Sequence, residues 1–125
     1  MITIRQAQMH LFEEVQKQVF IDEVAREIRE HYSQECAQLN DQELRRTVAD
    51  GLARGWHYGF RKKYSLSMFI QLLFLAGRDF YLYPPIRYLL THPAIPPDDR
   101  IDKILESMRD ADWNEMRKRA GRAGL

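Results

Sequence analysis

The sequence predicts an all-α fold, a compact bundle of four to five helices around one central buried helix. Three observations carry this. Apolar residues recur every three or four positions along most of the chain, and no segment sustains the alternation of a strand. Breakers at 33–40, 59–65, 77–85 and 92–97 divide the chain into helical pieces. The 125 residues, 45% apolar and 30% charged, suit a single domain over 1–125. A chain of this size buries roughly two-thirds of its unfolded surface, enough for a core without metal or disulfide staples.

The first helix opens with Thr3 and Gln6 at capping-box spacing. Ile4, Ala7, Leu11, Val15 and Val19 form an apolar stripe that Phe12, Phe20, Val24 and Ile28 widen and continue. The pattern predicts one long amphipathic helix, or two joined by a slight bend near residue 18, ending near Tyr32. Asn40 and Glu43 give a second cap signal, followed by the apolar face of Leu44, Val48 and Leu52. Gly51, Gly55 and Gly59 stand at strict four-residue spacing, and each costs about 1 kcal/mol against alanine in a helix. The stripe either admits a closely packed segment or marks a helix fraying toward Gly59.

Ser65 or Ser67 is expected to cap the third helix. Its body from Met68 to Ala76 is apolar on every side except Gln71, so residues 66–77 are placed at the centre. Gly77 is the expected stop. Tyr81 to Pro85 forms a rigid aromatic connector, and Pro85 sits in the first turn of a short helix through Leu90. Pro96-Pro97-Asp98-Asp99 starts the last major helix, with Ile101, Ile104, Leu105 and Met108 facing inward. Asp112 and Glu115 are expected to cap a final turn or two, and 117–125 to form a frayed basic tail.

A single cysteine, Cys36, allows no intrachain disulfide. The first residues lack the basic start and apolar run of a signal peptide, and no apolar stretch approaches the roughly 20 residues that span a bilayer. A cytoplasmic protein with no membrane contact is expected. The net charge of +1 hides an asymmetry. Residues 1–50 hold six Lys/Arg against ten Asp/Glu, whereas residues 51–95 hold six against one, Asp79. The basic middle either meets an acidic partner or packs beside the chain's own acidic segment.

No catalytic, cofactor or metal site is predicted. Glu27, His31 and Glu35 stand one turn apart, but a catalytic zinc needs three ligands in defined geometry and no His-Glu-x-x-His or cysteine cluster is present. Cys36 with His31 or His57 is the one conceivable thiol–base pair, and no nucleophile signature surrounds it. No Gly-rich phosphate loop occurs. The run from Trp56 to Tyr64 interleaves rings with basic groups, as single-stranded nucleic acid binders do. The near-neutral chain as a whole argues against that reading.

Trp, Tyr and Arg are the residues most enriched in interface hot spots. The expected partner-binding residues are Trp56, Tyr58, Tyr81 and Tyr83 as anchors, with Arg61, Lys62, Lys63 and Arg87 steering an acidic surface. The competing expectation is that these rings roof the central helix. A homodimer through the Gly51 and Gly55 face is compatible with the pattern.

Three landmarks together resemble a known group. They are the opening Met1-Ile2-Thr3-Ile4-Arg5-Gln6-Ala7-Gln8-Met9, the segment Ala53-Arg54-Gly55-Trp56-His57-Tyr58-Gly59, and the buried helix Phe69 to Ala76 followed by Gly77-Arg78-Asp79-Phe80. Over residues 1–90 this resembles small helical bacterial proteins found with type VI secretion effectors and their chaperones. The resemblance implies an adaptor or co-chaperone that binds an effector or its chaperone. It rests on no catalytic motif and transfers no functional residue. After Gly59 the chain is more basic and aromatic than that group. An immunity protein that blocks a cognate toxin is the alternative expectation, and a nucleic-acid-binding helical protein a further one.

Overall fold

The computed structural model describes the backbone of residues 2–123 and the side chains of residues 14–116 and 118. Among the described residues six α-helices follow in order: α1 Ile2–His31, α2 Asp41–His57, α3 Lys63–Leu75, α4 Pro84–Leu90, α5 Arg100–Ser107 and α6 Asp110–Ala123. Single 3₁₀ turns at Phe80–Leu82 and Pro97–Asp99 lead into α4 and α5. No strand occurs among the described residues.

The all-α bundle is the predicted class, with one helix more than expected. The extra helix arises at Met108, whose ψ of 128° ends α5. The Arg109 N–H then donates to Asp112 Oδ2 at 3.0 Å and opens α6. The backbone stays helical to Ala123, across much of the segment expected to fray, and Met116 is buried.

α1 is a single helix of 30 residues. Its buried positions among the described residues are Phe20, Ile21, Val24, Ala25 and Ile28. Val15 and Val19, expected on the same stripe, are 62% and 51% exposed. The reason is rotational. At 100° per residue Val15 and Val19 stand about 180° and about 140° around the axis from Val24, away from the face that Phe20, Val24 and Ile28 bury. The capping signal at Thr3 and Gln6, and Ile4, Ala7, Leu11 and Phe12, lie outside the described side chains.

α2 begins as predicted. Asn40 Oδ1 accepts from the Glu43 N–H at 2.8 Å, and Glu43 Oε1 accepts from the Asn40 N–H at 3.2 Å. The connector before it is organised by Arg29 of α1, whose guanidinium donates to the carbonyls of Cys36 (3.0 Å) and Leu39 (2.9 Å). Arg29 also pairs with Asp41 at 3.1 Å. Asp22 and Gln18 hold Arg45, which fastens α1 to α2.

The glycine stripe resolves as close packing. A Cβ built on Gly51 would stand 2.7 Å from Leu73 Cδ1, and one on Gly55 would stand 3.1 Å from Leu66 Cδ2. Both glycines therefore face α3, and the face considered for a homodimer is occupied by the chain's own central helix. Gly59 lies beyond the end of α2 with φ +98°, a conformation that glycine adopts without strain.

α3 is the central helix, burying Leu66, Phe69, Ile70, Leu72, Leu73 and Phe74. Gly77, at φ +114°, ends it as predicted. Its start differs from expectation. α3 opens at Lys63, and neither Ser65 nor Ser67 caps it. The acceptor comes from the far connector: Asp98 Oδ1 receives the N–H groups of Arg61 (2.9 Å) and Lys62 (3.0 Å). Ser65 Oγ in turn donates to the Asp98 carbonyl at 3.0 Å. Burial alone would push the Asp98 carboxyl up, but these donors outweigh it and hold it below the ordinary aspartate range.

Candidate functional site

The eight predicted interface residues fall on two faces. Trp56 and Tyr58 are two positions apart at the end of α2, which separates them by about 200° around the axis. Tyr58 turns toward the core, its ring centroid 6.0 Å from Phe69 and 6.1 Å from Tyr81. Tyr81 lies 6.2 Å from Phe69 and beneath the Arg54 guanidinium, 5.0 Å from its centroid. Tyr83 is likewise half-buried against the core, and Arg87 is exposed on α4 nearby. Burial raises the Tyr58 phenol above its ordinary range, Arg54 and Arg87 pull it back, and Tyr81 adds to the rise. On this face, roofing of the central helix describes the three tyrosines.

The other face is open. Trp56 is 53% exposed. Arg61 curls back over its ring, with Cζ 3.7 Å from the centroid. The same guanidinium donates to the carbonyls of Trp56 (2.8 Å) and Phe60 (2.9 Å), and the Trp56 carbonyl also accepts the Gly59 N–H at 3.0 Å just past the end of α2. Lys62 and Lys63 are exposed beside it, and neither forms an ion pair among the described residues.

Trp56 borders a hollow that sequence reasoning did not foresee. α1 and α3 both pack on α2, and between them Phe20, Leu52 and Leu66 form an apolar floor. Ala53, Trp56, Lys17 and Lys63 stand around this floor, which encloses about 620 Å³. A second hollow of about 520 Å³ continues along α1 and α3, sharing Phe20 and Lys63 and reaching Glu27 and Gln71. At its far end the Tyr32 hydroxyl donates to Gln71 Oε1 at 2.9 Å, tying α1 to α3. Tyr64 lies along the second hollow, 56% exposed, with its hydroxyl donating to Asp102 at 3.2 Å. That bond raises the phenol's titration point. One sequence signal bore on this site: Trp56 stands one turn from Leu52 and Ala53, so a tryptophan at the rim of the α2 apolar face was readable.

The residues weighed for chemistry do not converge. Cys36 is fully buried, its sulfur 3.5 Å from Arg29 Nη1 and 3.9 Å from the Ile28 and Ser33 carbonyls. His31 and Glu35 are exposed. Among the described residues no three His, Cys, Asp or Glu side chains group as a metal site, and no helix is long and apolar enough to cross a membrane. No protein-family model, curated protein or solved structure matches this chain.

Proposed function

We propose that this chain is a non-enzymatic, protein-binding adaptor or co-chaperone of the cytoplasm, serving a bacterial type VI secretion effector or its dedicated chaperone. The observation behind the binding role is the open α2 face, where an exposed Trp56 stacks under Arg61 at the rim of an apolar hollow. A tryptophan held this way presents a large ring at little cost in side-chain freedom, the usual character of an interface anchor. Lys62 and Lys63 beside it supply the steering charge for an acidic partner. The secretion setting rests on the sequence resemblance over residues 1–90.

The experiment is affinity capture of the tagged chain from a host that carries the secretion apparatus, with mass spectrometry of the captured proteins. Recovery of an effector or its chaperone, lost in Trp56→Ala and reduced in Lys62→Glu, is the expected result. Recovery of neither sinks the adaptor reading. Protection of toxin-expressing cells by this chain alone would replace it with immunity.

A further inference from the structure

We propose that the trough between α1 and α3 receives an amphipathic helix of the partner, acidic at the end that meets Lys17 and Lys63. This deepens the reading above and rests on it. The two hollows join end to end and run along α1 from Glu14 to Glu27. At 1.5 Å per residue this is about 20 Å, close to four turns of helix. An open trough of that length over an apolar floor suits a docked helix, whose own apolar stripe meets Phe20, Leu52 and Leu66.

Charge sets the direction of docking. At the Trp56 end Lys17 and Lys63 flank the floor, Arg61 and Lys62 stand just outside, and Glu14 is the one carboxylate lining it. Glu14 accepts a hydrogen bond from Gln18. Neither Lys17 nor Lys63 has an ion-pair partner among the described residues. Lys63 lines both hollows at their junction, and beyond it the Gln71 end carries Glu23 and Glu27 against Arg26 alone, a small acidic excess. The negative pole of a helix lies at its C-terminus. The docked helix therefore sets its C-terminal turns, carrying Asp or Glu, against Lys17 and Lys63, and its N-terminal turns against Glu23 and Glu27. Trp56 and Tyr64 close over its sides.

The test uses the full chain carrying Trp113→Phe, so that Trp56 is the one remaining tryptophan. The probe is a stapled 14-residue helical peptide with a leucine stripe and three glutamates in its last turns. A second peptide carries lysines at those positions. The expected result is saturable blue-shifting of Trp56 emission by the glutamate peptide, at least tenfold weaker for the lysine peptide. Lys63→Glu should reverse that preference, and Ala53→Phe, an exposed position at the floor's edge filled by a bulky ring that leaves Trp56 the one tryptophan, should abolish both responses. Equal binding of the two peptides, or no saturable response, overturns the proposal. The two readings fail separately. Effector capture that survives Ala53→Phe sinks the trough and leaves the adaptor role standing, whereas capture of neither effector nor chaperone sinks the adaptor role while the titration still judges the trough.

Discussion

The Arg61 guanidinium both covers the Trp56 ring, 3.7 Å from its centroid, and donates to the Trp56 carbonyl, 2.8 Å away. One side chain thus finishes α2 and fixes the orientation of the exposed ring. Arg61→Ala should cost about 1 kcal/mol of stability, read from urea unfolding, because two carbonyls lose a charged donor at a solvent-exposed site. It should also weaken partner binding, since Trp56 is then free to rotate. Trp56→Ala should leave the urea midpoint nearly unchanged, because the ring is 53% exposed, while removing the anchor.

Glycines 51 and 59 should respond to substitution for different reasons. Gly51→Val drives its side chain into Leu73 and Ile70, whose atoms stand 2.7 and 3.1 Å from a Cβ, and overpacking of this kind costs about 1–3 kcal/mol. Gly59→Ala strains a backbone at φ +98° and meets Pro97 at 3.0 Å, at a cost of about 1–3 kcal/mol. Chemical denaturation of both variants checks the pair. A neutral Gly51→Val would mean that α2 and α3 do not lie this close.

Asp98 links stability to acidity. Its carboxyl titrates below the ordinary aspartate range in the folded chain, so its contribution is present above the unfolded value and is lost as pH falls through the folded one. Asp98→Ala should destabilise the protein by about 1 kcal/mol at neutral pH, the cost of a lost helix cap. The gap from wild type should narrow as the pH drops below about 4. Thermal melts across that range measure it. Part exposure of the carboxylate and added salt both reduce the effect.

Arg29 holds the α1–α2 connector through two carbonyls, and Cys36 lies buried under it. Arg29→Met should cost about 2–3 kcal/mol, as two backbone acceptors lose a charged donor. In the wild type, Cys36 should resist an aromatic disulfide reagent until denaturant is added. In Arg29→Met it should react faster under native conditions. Immediate reaction in the wild type would contradict its burial.

What the sequence made legible was local. Asn40 and Glu43 are three residues apart, Gly77 acts on its own backbone, and Pro84-Pro85 starts α4 through its own ring geometry. Each such signal needs no knowledge of distant chain. The apolar run of 66–77 was readable as central for a similar reason, since a helix without a polar face has nowhere else to go. The failures were rotational or long-range. Val15 and Val19 satisfy helical spacing individually yet drift off the face used by Val24 and Ile28. Trp56 and Tyr58 were grouped by proximity in sequence, although a helix turns them apart. Asp98 capping α3, and the trough floor assembled from Phe20, Leu52 and Leu66, join residues of separate elements, and no local pattern encodes such meetings.

Arg100 reaches three carbonyls from three stretches of chain: Leu90 at 2.7 Å, Ile95 at 2.9 Å and Tyr58 at 3.3 Å. The end of α2, the end of α4 and the turn before α5 are therefore riveted at a single half-buried cation. A rivet shared by three plates does not let one of them lift alone, because any parting strands the same charge. Slow amide exchange in this region should then be lost all at once, at one denaturant concentration for α2, α4 and α5 alike, with no frayed intermediate in which the second half of the chain has let go of the first.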